Sequence, residues 1–223
     1  MCVRLNKIVR KNYACYFIFF SIVLCYAAFL YMDFFTTNKT HVLKYVTIFL
    51  LILFYYLENG LEILCIDPIR RVTGISLCLA FVADYFLLLT YDYIWGIGLF
   101  CLVQICNLLQ LRQIYECKIC TMEHIVNFFI GIYIAMIHYR TYMFIVLVIC
   151  YFLLSVGNLF YAWRLYINKT KKIRFLAISI SLLALCDLNV ALWNVFGFVL
   201  CGNLIWLFYI PSQIFLEMHA KVW

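Results

Sequence analysis

The sequence predicts an all-α integral membrane protein, a single-domain bundle of eight transmembrane helices with both termini on the cytoplasmic side. Composition is the first reason: 68% of the 223 residues are hydrophobic and 12% are charged, where an ordinary soluble domain is about half apolar and about a quarter charged. The mean hydropathy is +1.03. Pattern is the second reason. Runs such as YVTIFLLILFYYL and MFIVLVICYFLL do not alternate polar with apolar residues, as the strands of a membrane barrel would, and in lipid the helix is the other structure that satisfies its own backbone. The third reason is the placement of basic residues.

A bilayer core about 30 Å thick requires roughly 20 apolar residues per span. Eight segments meet that length, at 13–32, 41–60, 72–91, 94–111, 122–138, 141–161, 173–195 and 199–219. The first is too long, and lacks the small-residue cleavage site, to be a removed signal peptide. Two prolines and eight glycines leave little material for linkers, so residues 1–223 read as one domain. With eight spans, 14 of the 17 Lys and Arg fall on the side of the termini, leaving Lys39, Lys44 and Arg140 on the other. Cytoplasmic loops collect such residues. The net charge of +7 is thereby accounted for by orientation and anionic lipid head groups, and no nucleic-acid partner is required. The plasma membrane is the expected location.

The twelve cysteines lack the paired spacing of a secreted disulfide framework and read mainly as small core hydrophobes. Cys117, Cys120 and His124 make half a zinc site at most, without a second pair in reach, so no metal or other cofactor is expected. GIG at 96–98 has no strand before it and no phosphate-cradling turn after it. Neither a Gly-x-Ser-x-Gly elbow nor a zinc-protease motif is present. Asn38-Lys39-Thr40 matches a glycosylation sequon on the outer side, and Tyr91, Tyr93 and Trp95 suit an interfacial aromatic belt.

Against this apolar background two carboxylates stand out. Asp84 lies in LAFVADYFLLL and Asp187 in LALCDLNVALWN. A carboxylate near the bilayer centre costs about 2.5–3.5 kcal/mol on insertion scales, so such residues face a bundle interior. Asp84 is 13 residues beyond Arg71 and Asp187 is 13 beyond Arg174, which puts both roughly 20 Å into the membrane at 1.5 Å per residue. One depth suggests one site. Superposing the two segments on their aspartates also matches Ser76 with Ser179 and Leu79 with Leu182, the pattern of a parallel four-plus-four repeat.

Other polar side chains fall near this layer. Asn194 is seven residues beyond Asp187 and so on its face. Tyr209 and Gln213 are four apart in WLFYIPSQIFL, with Pro211 loosening the helix between them. Gln104 and Asn107 share a face of the segment 94–111. Lys44 is the one basic residue on the outer side able to reach toward the aspartates. Amides and hydroxyls in membranes often serve only as interhelical glue, worth about 0.6 kcal/mol each. Glue does not require ionisable groups, however, and one lysine cannot neutralise two carboxylates. At least one aspartate is therefore expected to hold or exchange a proton.

ADYFLLL around Asp84, GIGLFCLVQ from Gly96 to Gln104, LCDLNVALWN around Asp187 and WLFYIPSQ from Trp206 to Gln213 resemble, in order and spacing, the signature segments of the YhhN-like lysoplasmalogenase family. Lys44 falls where that family tends to have a lysine. The resemblance implies an eight-helix hydrolase that cleaves the vinyl ether bond of lysoplasmalogens, with the two membrane aspartates as the catalytic pair. The chain departs from the pattern at Gln104 and Asn107, where many relatives have His and Tyr, at ADY in place of Gly-Asp, and at Tyr45 in place of a proline.

Vinyl ether hydrolysis begins with proton transfer to carbon, followed by attack of water on the oxocarbenium ion, a division of labour that glycosidases give to two carboxyl groups. Asp84 and Asp187 are the candidate pair, with the acid and the base not distinguished by sequence. Lys44 is placed to meet a lysophospholipid phosphate, and Gln104, Asn107, Asn194, Tyr209 and Gln213 to bind substrate or position water. The alternative is a proton-coupled transporter or a non-enzymatic lipid-binding protein, since paired intramembrane carboxylates suit that role as well; a structural role for inherited aspartates is the third reading.

Overall fold

The fold follows from where each apolar run can be started and stopped. In a computed structural model, residues 2–36, 40–60, 67–115, 143–168 and 173–222 are described. They form seven long helices and no strand: α1 (Cys2–Phe35), α2 (His41–Asn59), α3 (Pro68–Tyr85), α4 (Tyr93–Tyr115), α5 (Met143–Asn168), α6 (Arg174–Phe196) and α7 (Val199–Val222). Each contains a stretch long and apolar enough to cross a membrane. The chain is a helical membrane protein, with seven such spans among the described residues; the segment expected at 122–138 lies outside them, as do Cys117, Cys120, His124, Lys39 and Arg140.

Several boundaries differ from expectation for local reasons. The third helix starts at Pro68 rather than at 72. Asp67 caps it by accepting a hydrogen bond from the Ile69 N–H at 2.9 Å, and Pro68 occupies the first turn, where a missing N–H costs nothing. At its far end α3 widens into a π turn over Phe86–Thr90, closed by Tyr91 in the left-handed region (φ 57°) and by the Asp92 N–H donating to the Phe86 carbonyl at 2.9 Å. Helix α1 runs on past 32 to Phe35, and α5 past 161 to Asn168. Between α6 and α7 the chain reverses at Gly197 (φ 68°), a left-handed helix end that glycine adopts without penalty.

Consecutive described helices are neighbours, and α7 closes the ring by packing on α1, α2 and α3 as well as α6. Glycines mark close approaches: a Cβ on Gly74 would meet the Tyr55 ring at 3.1 Å, one on Gly202 the Trp193 ring at 3.2 Å, and one on Gly96 would collide with the Leu87 side chain. One core cluster, with Leu77, Leu111, Leu165, Leu176 and Leu216, occupies the end rich in arginine and lysine. A second, with Phe29, Ile48, Leu183, Trp206 and Ile210, fills the other half. Large apolar side chains such as Phe17, Ile149, Phe160 and Val195 stand exposed on the outside, as lipid-facing residues should, because lipid tails are as apolar as the side chains themselves.

Candidate functional site

Helix α7 carries four buried polar side chains, Ser212, Gln213, Glu217 and His219, more than any other described helix, and its proline explains part of its geometry. Pro211 has no N–H to give to the carbonyl four residues earlier. That carbonyl, on Leu207, instead accepts the Tyr26 hydroxyl of α1 at 3.0 Å. One turn along, Ser212 donates to the Tyr209 carbonyl at 2.7 Å, and its own carbonyl accepts Ser179 of α6 at 2.7 Å. Local bonds of this kind let a proline remain inside a spanning helix. They also fix Tyr209 on the face turned toward α3.

Asp84 is buried, with 4% of its surface exposed. Its Oδ2 accepts a hydrogen bond from the Tyr209 hydroxyl at 2.6 Å. Asp187 is partly exposed and accepts two: the Tyr151 hydroxyl at 2.5 Å on Oδ1 and the Ser155 hydroxyl at 2.7 Å on Oδ2, both from α5. The two half-sites meet at Phe100 of α4, whose ring centroid is 6.3 Å from that of Tyr151 and 6.1 Å from that of Tyr209. Cys186, next to Asp187 in sequence, is within electrostatic range of both carboxyls. The aspartates thus sit on two sides of one aromatic wedge, each held by a tyrosine.

Gln104 joins the second half-site. Its Nε2 donates to the Tyr151 hydroxyl at 3.4 Å, while its Oε1 and backbone carbonyl accept from Asn158 at 2.9 and 2.8 Å. Asn107 is buried in the same helix with its Oδ1 unpartnered among the described residues, and so are Gln110 and the Oδ1 of Asn158. A column of amides therefore continues from the Asp187 half-site down α4 and α5 toward the basic end. Gln213 is buried beside Ser212, to which it donates at 3.2 Å.

Two candidate residues stand elsewhere. Lys44 is buried, and its Nζ pairs with Asp33 of α1 at 2.6 Å, while Thr40 donates to the other Asp33 oxygen at 2.5 Å. The ammonium also lies 5.1 Å from the Trp206 ring and 5.9 Å from that of Phe29, a cation–π arrangement. Its counter-ion is thus Asp33 rather than either aspartate of the pair. Asn194 is exposed and donates to the Val190 carbonyl of its own helix at 2.7 Å; the shared face with Asp187 does not bring it into the site, because residues 193–200 are exposed at this end of α6.

Sequence reasoning missed Tyr151, Ser155, Asn158 and Asp33. The first three are spaced i, i+4 and i+7 within an apolar run, the spacing of one helix face, and that was the available signal. The partners also do not follow the four-plus-four repeat: Asp84 takes its hydroxyl from the last helix, whereas the helix related to that one is α4, and Asp187 takes both of its hydroxyls from α5.

Fold and site together define a helical membrane protein in which two aspartates flank one aromatic ring, Asp84 bonded by one hydroxyl and Asp187 by two. Comparison of the chain with protein-family models, with curated proteins and with solved structures finds no match.

Proposed function

We propose that the chain is a membrane-embedded hydrolase that cleaves the vinyl ether bond of lysoplasmalogen-type lysophospholipids by carboxyl acid/base chemistry. The observation that carries this reading is the asymmetry of two interior carboxyls around Phe100. Asp84 is the more buried and accepts one hydrogen bond, which suits the neutral acid. Asp187 accepts two and is partly exposed, which suits the carboxylate. The resemblance to the YhhN-like family supports the same substrate and an eighth span at 122–138, and the skew of Lys and Arg supports cytoplasmic termini.

In this mechanism Asp84 gives its proton to the β-carbon of the vinyl ether, and the C=C π electrons form the new C–H bond. The resulting oxocarbenium ion is stabilised by the Asp187 carboxylate, which takes a proton from the attacking water. The hemiacetal then collapses: its O–H proton passes to the Asp84 carboxylate, the C–O bond to the glycerol breaks, and the glycerol oxygen takes the proton held by Asp187, so that a fatty aldehyde and the glycerophospho head group leave and both carboxyls return to their starting states. The Tyr209 hydroxyl stabilises the charge that appears on Asp84 as its proton departs.

Aldehyde release from lysoplasmenyl-ethanolamine and lysoplasmenyl-choline by the purified protein in nanodiscs tests the proposal. Turnover that disappears in Asp84→Asn and in Asp187→Asn supports it. A folded parent without turnover sinks it and favours the second reading, proton-coupled transport or lipid binding, for which the amide column from Gln104 through Asn107 to Gln110 is the specific observation.

A further inference from the structure

A second set of carboxyls lies away from the aspartate layer. Between α1, α2 and α7 runs a groove of about 710 Å³, within the roughly 300–1,000 Å³ typical of small-ligand sites. Its walls include Tyr16 and Phe19 of α1, Phe54 of α2 and Met218 of α7. Tyr16 is 74% exposed on the outside of the bundle, so the groove opens laterally toward lipid. Its polar residues are Glu58, Glu217 and Lys221. Lys221 is ion-paired with Glu58, and its Nζ stands 5.9 Å from the Phe54 ring. Glu217 is 5% exposed, and its Oε1 has no hydrogen-bond partner among the described residues.

Among the described residues two carboxyls line this end of the groove with one lysine, and that lysine is already paired with Glu58. The unpartnered oxygen of Glu217 specifies more than charge, because a buried acceptor is satisfied only by a hydrogen-bond donor. A quaternary ammonium brings charge without N–H groups; a primary ammonium brings three. The apolar walls, open along one side to the bilayer, suit one alkyl chain. We propose that the groove binds a single-chain amphiphile ending in a primary ammonium, its chain along Tyr16, Phe19, Phe54 and Met218 and its N–H groups donating to Glu217 and Glu58. The site is independent of the aspartate chemistry: Glu217 is eight residues from Tyr209, about 12 Å along α7.

Native mass spectrometry of the full chain, titrated with lysophosphatidylethanolamine, sphingosine and lysophosphatidylcholine, tests this. The two primary amines should bind roughly tenfold tighter than the choline lipid, the worth of a hydrogen bond to a charged group. Glu217→Leu, which removes the acceptor, should erase that preference, and Met218→Trp, which fills the groove, should weaken all three ligands. Tighter binding of the ethanolamine lipid than of sphingosine would assign its phosphate to Lys221; equal binding would assign recognition to the ammonium alone. Equal affinity for the ethanolamine and choline lipids overturns the proposal, as does a preference that survives Glu217→Leu or binding indifferent to Met218→Trp. A thermal melt of each variant identifies one that has not folded, and Met218→Trp, on a partly exposed side chain, then decides.

Discussion

The two halves of the aspartate site set the same pair of side chains, a carboxyl and a tyrosine, in different surroundings. At Asp84 the tyrosine is the only hydroxyl donor among the described residues and the carboxyl is buried between α3 and α7. At Asp187 a serine is added, the tyrosine is itself held by Gln104, and the carboxyl is partly open. A carboxylate is stabilised by each donor it gains and destabilised by each water it loses. The two carboxyls thus differ in the number of hydroxyls they accept and in their burial, and among the described residues neither is ion-paired with a basic side chain.

The sharpest way to break that comparison is to remove the carboxyls one at a time. Asp84→Asn and Asp187→Asn should each lower aldehyde release by about 10²–10⁴-fold, the usual contribution of a positioned acid or base, with unchanged thermal melts. A folded Asn variant that retains turnover would eliminate that residue from the chemistry. Next in size is Lys44→Met, which should reduce stability by about 3–5 kcal/mol because it leaves Asp33 buried and unpaired. Denaturant unfolding in detergent measures the loss, and Lys44→Met combined with Asp33→Asn should recover most of it. If the single variant melts normally, the ion pair is not structural and Lys44 returns to the site.

Smaller effects sharpen the two halves themselves. Tyr209→Phe deprives Asp84 of its one hydroxyl donor and should cost about 10–100-fold in kcat. Tyr151→Phe leaves Ser155 on Asp187 and should cost less; the reverse order would exchange the roles of the two halves. Asn194→Ala changes an exposed residue and should leave kcat and KM within about twofold. A larger change would place Asn194 near the substrate despite its position outside the bundle.

How much of this the sequence revealed depends on which physical signal each residue emits. Asp84 and Asp187 were legible because charge in an apolar helix is costly wherever the helix packs. Tyr209 was legible from its spacing to Gln213. Tyr151 was hidden because, in a chain with eighteen tyrosines, one more in an apolar run reads as packing, and only its spacing to Ser155 and Asn158 distinguishes it. Asp33 was missed by a boundary: ending the first span at 32 left it in a loop, whereas α1 continues to Phe35 and delivers it to Lys44. Asn194 failed in the other direction, since a shared helical face predicts a shared environment only while that face stays covered, and here it is exposed.

The π turn at Phe86–Thr90 begins two residues after Asp84, and Leu87 within it meets Gly96 of α4. A π turn holds one residue more than an α turn, and one residue is about 100° of helical rotation. Removal of a single residue from this stretch would turn Tyr91, Asp92 and the chain that follows by about that angle relative to Asp84. The number of residues across these five positions therefore sets the angle at which α3 hands the chain on to α4 and Phe100.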